Sequence, residues 1–197
     1  MAITGRPRGF DRGAALEAAM LVFWRKGFLA ASMNDLCDAM GIRSPSLYAA
    51  FGSKETLYLE AARHYAKTIG PSVWDQLKNG TTGRESVENF LLAAVSVLPE
   101  CGKMPAGCMV TLAGVSEECT DAILQAMKQV RIDCLELLRT RLNDSLVTGE
   151  LPPSTNIERL SRFYFGVYQG MAIQARDGAA PEDLKGITET AMDAWPG

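Results

Sequence analysis

The chain has 197 residues, 47% of them hydrophobic and 22% charged, with a net charge of −3 at pH 7: enough for one large or two small domains around a packed core, and too apolar for a disordered chain. No apolar run approaches the roughly 20 residues of a membrane span, and the opening MAITGRPRGFDRG is too polar for a secretory signal, so the expectation is a cytoplasmic protein with no membrane partner. Five irregularly spaced cysteines, no Cys-x-x-Cys and a lone His64 argue against a disulfide framework, a metal site or a cofactor, and for buried, reduced thiols.

Strand signals are nearly absent while periods near 3.6 recur, so the chain reads as all-α with about nine helices. Residues 1–9, with Arg6 and Arg8, read as a flexible basic arm. Asp11 is placed to cap a first helix with Leu16, Ala19, Met20 and Phe23 on one face, and Gly27 stops it. Ser32 and Asp35 form a variant capping box for a short helix with Met33, Leu36, Cys37 and Met40 inward, ended by Gly41. Ser44 is the expected cap of the next helix, with Pro45 at its first position and Leu47 and Phe51 facing the core. Gly52 terminates it, and Ser53 caps a fourth helix carrying Leu57, Ala61 and Tyr65 as far as Gly70-Pro71. Further helices are expected at 84–98, 106–118, 121–148, 155–177 and 182–194, with a short one around VWDQLK. The breaks between them are rich in Gly and Pro.

Two short helices around a glycine turn make a helix-turn-helix, whose second helix enters the major groove N-terminus first. With Leu47 and Phe51 inward, Ser44, Ser46, Tyr48 and Ala49 point outward, where hydroxyls can reach phosphates or base edges. Ser53 and Lys54 open the next helix and suit another phosphate. Ser32, Arg43 and Pro45 complete the candidate DNA-binding set. For Tyr48 the alternative is partial burial against the first helix. Charge supports a polyanionic partner: residues 1–67 hold nine Lys/Arg against six Asp/Glu, whereas the remainder holds eleven against seventeen.

From Phe10 to about Tyr65 the chain resembles the DNA-binding domain of the TetR/AcrR family of bacterial transcriptional regulators. The resemblance is carried by the Phe23…Gly27-Phe28 helix end, the Ser32-x-x-Asp35 cap, the Gly41-Ile42 turn and Leu47-Tyr48-x-x-Phe51-x-Ser53-Lys54-x-x-Leu57. Later, GVYQGMAIQARDGA is similar to the late dimerisation helix of many members. One departure is Ala49-Ala50, where members often carry a His or aromatic residue before the Phe, so readout there would be apolar or absent. The resemblance implies a non-enzymatic homodimer, with a DNA-binding domain (residues 1–66) on an effector-binding and dimerisation domain (67–197), bound to a double-stranded operator and released by a small-molecule effector.

In the second part, residues 155–177 carry two apolar stripes. One is Ile157, Leu160, Tyr164, Val167 and Met171; the other is Phe163, Gly166, Gly170 and Ile173. A helix apolar on two sides is buried on two sides, and the glycine stripe would meet either a neighbour in the chain or a second copy. Ile123, Met127, Val130, Cys134 and Leu137 line the helix before it. Methionines at helical spacing are ordinary core; Met104, Met109, Met127 and Met171, with Trp74, Phe90, Cys108, Leu112, Val130, Tyr164 and Tyr168, are also candidates for an adaptable cavity that takes an apolar or aromatic effector. A separate reading makes Cys101, Cys108 or Cys119 a sensor of oxidants or electrophiles.

Overall fold

Asp11 accepts hydrogen bonds from the backbone N–H groups of Gly13 and Ala14 and opens α1 (Arg12–Ala30), which Gly27 interrupts with a non-helical backbone. The structure, a computed structural model, describes residues 10–113 and 119–196; the basic arm with Arg6 and Arg8 lies outside them. The Ser32–Asp35 capping box opens α2 (Met33–Met40). Gly41 ends α2 in the left-handed region, φ 65°, which a glycine adopts without steric cost. From that turn the Gly41 and Ile42 N–H groups donate back to Asp38 and Cys37, closing orphan carbonyls of α2.

α3 (Ser44–Phe51) begins at Ser44, the residue expected to cap it, one position earlier than expected. Arg43 is the N-cap and gives no side-chain cap bond. The Ser44 hydroxyl lies 3.5 Å from the Cys37 thiol instead. The Ser53 cap opens α4 (Lys54–Thr68). Edge-on aromatic contacts join α4 to α1: the Tyr58 ring lies 5.0 Å from Phe23 and 5.4 Å from Phe28, and Tyr65 lies 4.9 Å from Trp24.

Gly70-Pro71 does not end the helical path. It starts α5 (Gly70–Trp74), which runs into a 3-10 turn at Asp75–Lys78. Then come α6 (Gly83–Val97), α7 (Asp121–Val147), α8 (Ile157–Arg176) and α9 (Pro181–Asp193), nine α-helices among the described residues. Trp74, Phe90 and Tyr168 form an aromatic cluster with ring centres 4.7 to 5.3 Å apart, and the Tyr164 hydroxyl donates to the Ala191 carbonyl at 3.3 Å.

The helix expected over 106–118 is not there in its described part. Residues 101–113 form a looped segment in which Cys101 and Met104 pair across a short bridge. Gly107 has φ +80°, and a Cβ there would lie 2.8 Å from the Ala172 carbonyl oxygen of α8. Left-handed backbone and this close approach rule out a helix at that point; residues 114–118 lie outside the description.

The α2 cap yields a prediction. Hydrogen bonds from Lys26 and Ser32 hold the Asp35 carboxyl down at about 2, below its ordinary 3.8. A depressed carboxylate contributes stability above its unfolded value and loses it as pH falls through the folded one. The difference in melting temperature between parent and Asp35→Asn should therefore be largest above pH 4 and shrink towards pH 2. A difference independent of pH would contradict the assignment.

Candidate nucleic-acid interface and effector cavity

Leu47 is fully buried and Phe51 nearly so. That seating turns the opposite side of α3 outward: Arg43, Pro45, Ser46 and Ala49 are exposed, Ser44 is half-buried, and Tyr48 is 50% exposed. Tyr48 thus leaves half of its surface open on the outward side of α3. Exposed hydroxyls and small side chains at a helix N-terminus suit a groove edge.

Three predicted contact residues have structural duties as well. Ser32 Oγ accepts from the Asp35 N–H at 3.0 Å. Lys54 Nζ donates to the Leu29 carbonyl at 3.3 Å and stands 4.6 Å from the Phe28 ring centre, and burial pushes its pKa down. Lys54 is therefore held at the junction of α1 and α4, beside the α3 exit. Ser53, the α4 cap, is half-buried next to it.

Arg12 was not singled out by sequence reasoning, yet it fastens α3. Its guanidinium lies 4.3 Å from the Phe51 ring centre, pairs with Glu60 at 2.7 Å and donates to the Ala50 carbonyl at 3.3 Å. Nothing local in the pattern links residue 12 to residues 50–60.

Lys54→Ala should weaken duplex binding about equally on all sequences and lower the salt slope by about one per half-site. Ser46→Ala should instead change the preference among sequences. Unchanged behaviour of both variants across a salt titration on selected duplexes would remove α3 and the α4 start from the interface.

A cavity of about 230 Å³ lies where α4, α5, α7, α8 and the 101–113 segment meet. Of the residues expected around it, Trp74, Cys108, Val130 and Tyr168 line it. Phe90, Met127, Tyr164 and Met171 are core, and Phe90 backs the wall through Trp74 and Tyr168. Met109 and Leu112 face a different hollow beside the end of α1, and Met104 is exposed. Tyr65, Phe165, Cys134 and Arg131 also line the cavity; Tyr65 reads as core from helical period alone.

The chemistry converges on Cys108. Its buried side chain shares the cavity wall with Tyr65 and Tyr168, and the thiol adds to the upward shift of both phenols. Burial, chiefly, pushes both phenols well above their ordinary range, so they remain protonated donors. Burial also pushes the Cys134 thiol up to about 12, leaving it a protonated, inert wall group. Arg131 donates to the Val110 and Ala113 carbonyls at 3.2 and 2.9 Å. Cys101 is exposed on its turn, and Cys119 is half-buried at the other hollow.

Along α8, Phe163 is 43% and Ile173 49% exposed. A Cβ added at Gly166 or Gly170 would meet nothing within 4 Å among the described residues, so no described neighbour in the same chain requires these glycines. No described helix is long and apolar enough to cross a membrane.

Residues 15–61 match the model of the bacterial regulatory proteins of the tetR family. Over 196 residues, 98% of this chain and 92% of the relative, the sequence is 33% identical to the HTH-type transcriptional repressor ComR of Escherichia coli K12. It is 29% identical to the repressor BdcR of the same organism over 98% of this chain and 92% of that protein. Among solved structures it resembles the TetR family regulator CifR, in a cysteine mutant complexed with a 26-base-pair operator DNA, with a TM-score of 0.91 and 40% identity over 97% of this chain and 100% of CifR.

Proposed function

The chain belongs to the TetR family of bacterial regulatory proteins and is a DNA-binding transcriptional regulator; from that premise we propose a homodimeric repressor that releases its operator when a small apolar or aromatic molecule occupies the cavity around Tyr65, Trp74 and Tyr168. In this reading residues 1–66 form the DNA-binding head and residues 67–197 the effector-binding and dimerising body.

The observation that carries it is the course of α4. Its first residue, Lys54, sits beside the α3 exit, and Tyr65 in its last turns lines the cavity. Fifteen residues of helix span about 22 Å, so one rigid element joins the two sites. A cavity near 230 Å³ is below the roughly 300–1,000 Å³ of drug-sized sites, which favours a compact effector. The stripe of exposed Phe163, Gly166 and Ile173 with half-buried Gly170 supports pairing through α8 with a second copy.

Duplexes selected by the protein from a random library provide the test. The selected site should contain two half-sites one helical turn, about 34–36 Å, apart or a multiple of it. A compound that raises the melting temperature through the cavity should then release the duplex. Stabilisation that leaves DNA binding unchanged at saturation would contradict the effector assignment.

A second reading is favoured by the position of Cys108, the one of the three sensor candidates that lines the cavity. Beside two phenols the thiol can add to an activated alkene, the sulfur–carbon bond forming as the π bond breaks and the thiol proton passing to the neighbouring carbon. Cys108→Ser separates the readings: it should keep DNA binding in both, lose the response if the thiol reacts, and retain it if the cavity binds reversibly.

A further inference from the structure

α4 is not the sole physical link between the cavity and α1–α3. The break at Gly27 leaves carbonyls at the end of the main α1 segment without helical partners. Arg176, the last residue of α8, supplies donors to two of them: Nη2 to Trp24 at 2.6 Å and Nη1 to Arg25 at 3.4 Å. Trp24, almost fully buried, donates its indole N–H to the Gly107 carbonyl at 3.1 Å. Arg25 reaches the same loop through the Lys103 carbonyl at 3.4 Å.

Gly107 is held from three directions. Its N–H donates to Leu98, the residue after α6, at 2.7 Å. Its carbonyl takes Trp24, and its α-carbon leaves no room for a side chain against Ala172 of α8. The next residue is Cys108, which shares the cavity wall with Tyr65 and Tyr168. Packing this close does not absorb a displacement locally: a shift of Cys108 must move Gly107, and the Trp24 hydrogen bond must follow or break.

Resting on the effector-cavity reading above, we infer that Trp24, Gly107 and Arg176 form a latch that transmits cavity occupancy from the 101–113 segment to α1, in parallel with α4. Trp24 and Arg176 are positioning residues: they hold the end of α1, and through it the seat of α2 and α3, in the DNA-competent arrangement while Cys108 is undisturbed. An occupant that pushes Cys108 aside unseats the latch. α8 also bears the glycine stripe, so Arg176 ties the orientation of α1 to the helix that would carry the dimer face.

Cys108→Met tests this without an identified effector, because it adds two heavy atoms to the side chain at the cavity wall. Trp24→Phe removes the indole N–H while keeping an aromatic ring against Tyr65. Affinity for a selected duplex is measured by anisotropy in the full-length parent, each single variant and the double variant, with hydrogen exchange of the 24–30 amides. Cys108→Met is expected to weaken binding at least tenfold and speed exchange of those amides in the parent background. In the Trp24→Phe background the same change should alter affinity less than threefold. A Cys108→Met effect of equal size in both backgrounds overturns the latch and leaves the cavity reading standing. Absence of an effect on affinity and exchange in the parent background overturns the cavity reading, and the latch with it.

Discussion

A Leu47→Ala protein is expected to lose about 2–5 kcal/mol of stability, the range for large-to-small changes in a packed core, and to stop binding duplex DNA. α3 has only eight residues, far below the length at which a helix holds itself together in water. Leu47 and Phe51 are its two buried side chains, and the Arg12 contacts sit at its far end. Removing Leu47 leaves the N-terminal half of α3, with Ser44 and Ser46, unseated. Hydrogen exchange should show α3 amides losing protection while those of α7 and α8 keep theirs, because α3 packs chiefly on α2 and α4. Parent-like operator affinity in Leu47→Ala would show that the seating of α3 does not govern binding.

The second large effect is expected from Gly170→Leu. Within one chain the position opens onto empty space, so the monomer should melt as before. Across a two-fold contact the leucine would overpack a face shaped for glycine. Sedimentation should then find monomers at concentrations where the parent pairs. Loss of pairing makes each α3 bind alone; linked binding commonly adds 10²–10⁴ to affinity, so operator affinity should fall by a factor of that order. A dimeric Gly170→Leu protein with parent affinity would move the contact away from this stripe.

The starts of α1, α2 and α4 were legible because their signals are local. Asp11, Ser32 and Ser53 cap their helices through hydrogen bonds to residues two or three positions away, and Gly41 closes α2 with its own turn. What the pattern missed is long range. The spacing of Cys108, Met109 and Leu112 fits a helix, but Gly107 answers to Ala172, 65 positions on. Helical period also marks a residue as inward without saying whether it faces solid core or a void. Met127 and Met171 went to the core, and Tyr65, read as core, faces the cavity. Arg12 and Arg176 belong to no local pattern, yet each fastens helices distant in sequence.

Reciprocity provides the most direct test of the central claim, that occupancy of the cavity and grip on DNA are coupled. If an effector lowers operator affinity a hundredfold, the coupling is about 2.7 kcal/mol, within the usual allosteric range, and operator DNA must weaken effector binding by the same factor. The measurement is titration calorimetry of a cavity-binding compound found by thermal shift, into free protein and into protein saturated with its selected duplex. The account predicts weaker binding to the DNA complex, by the factor with which the compound lowers operator affinity. Equal affinity for the free and DNA-bound protein would contradict it.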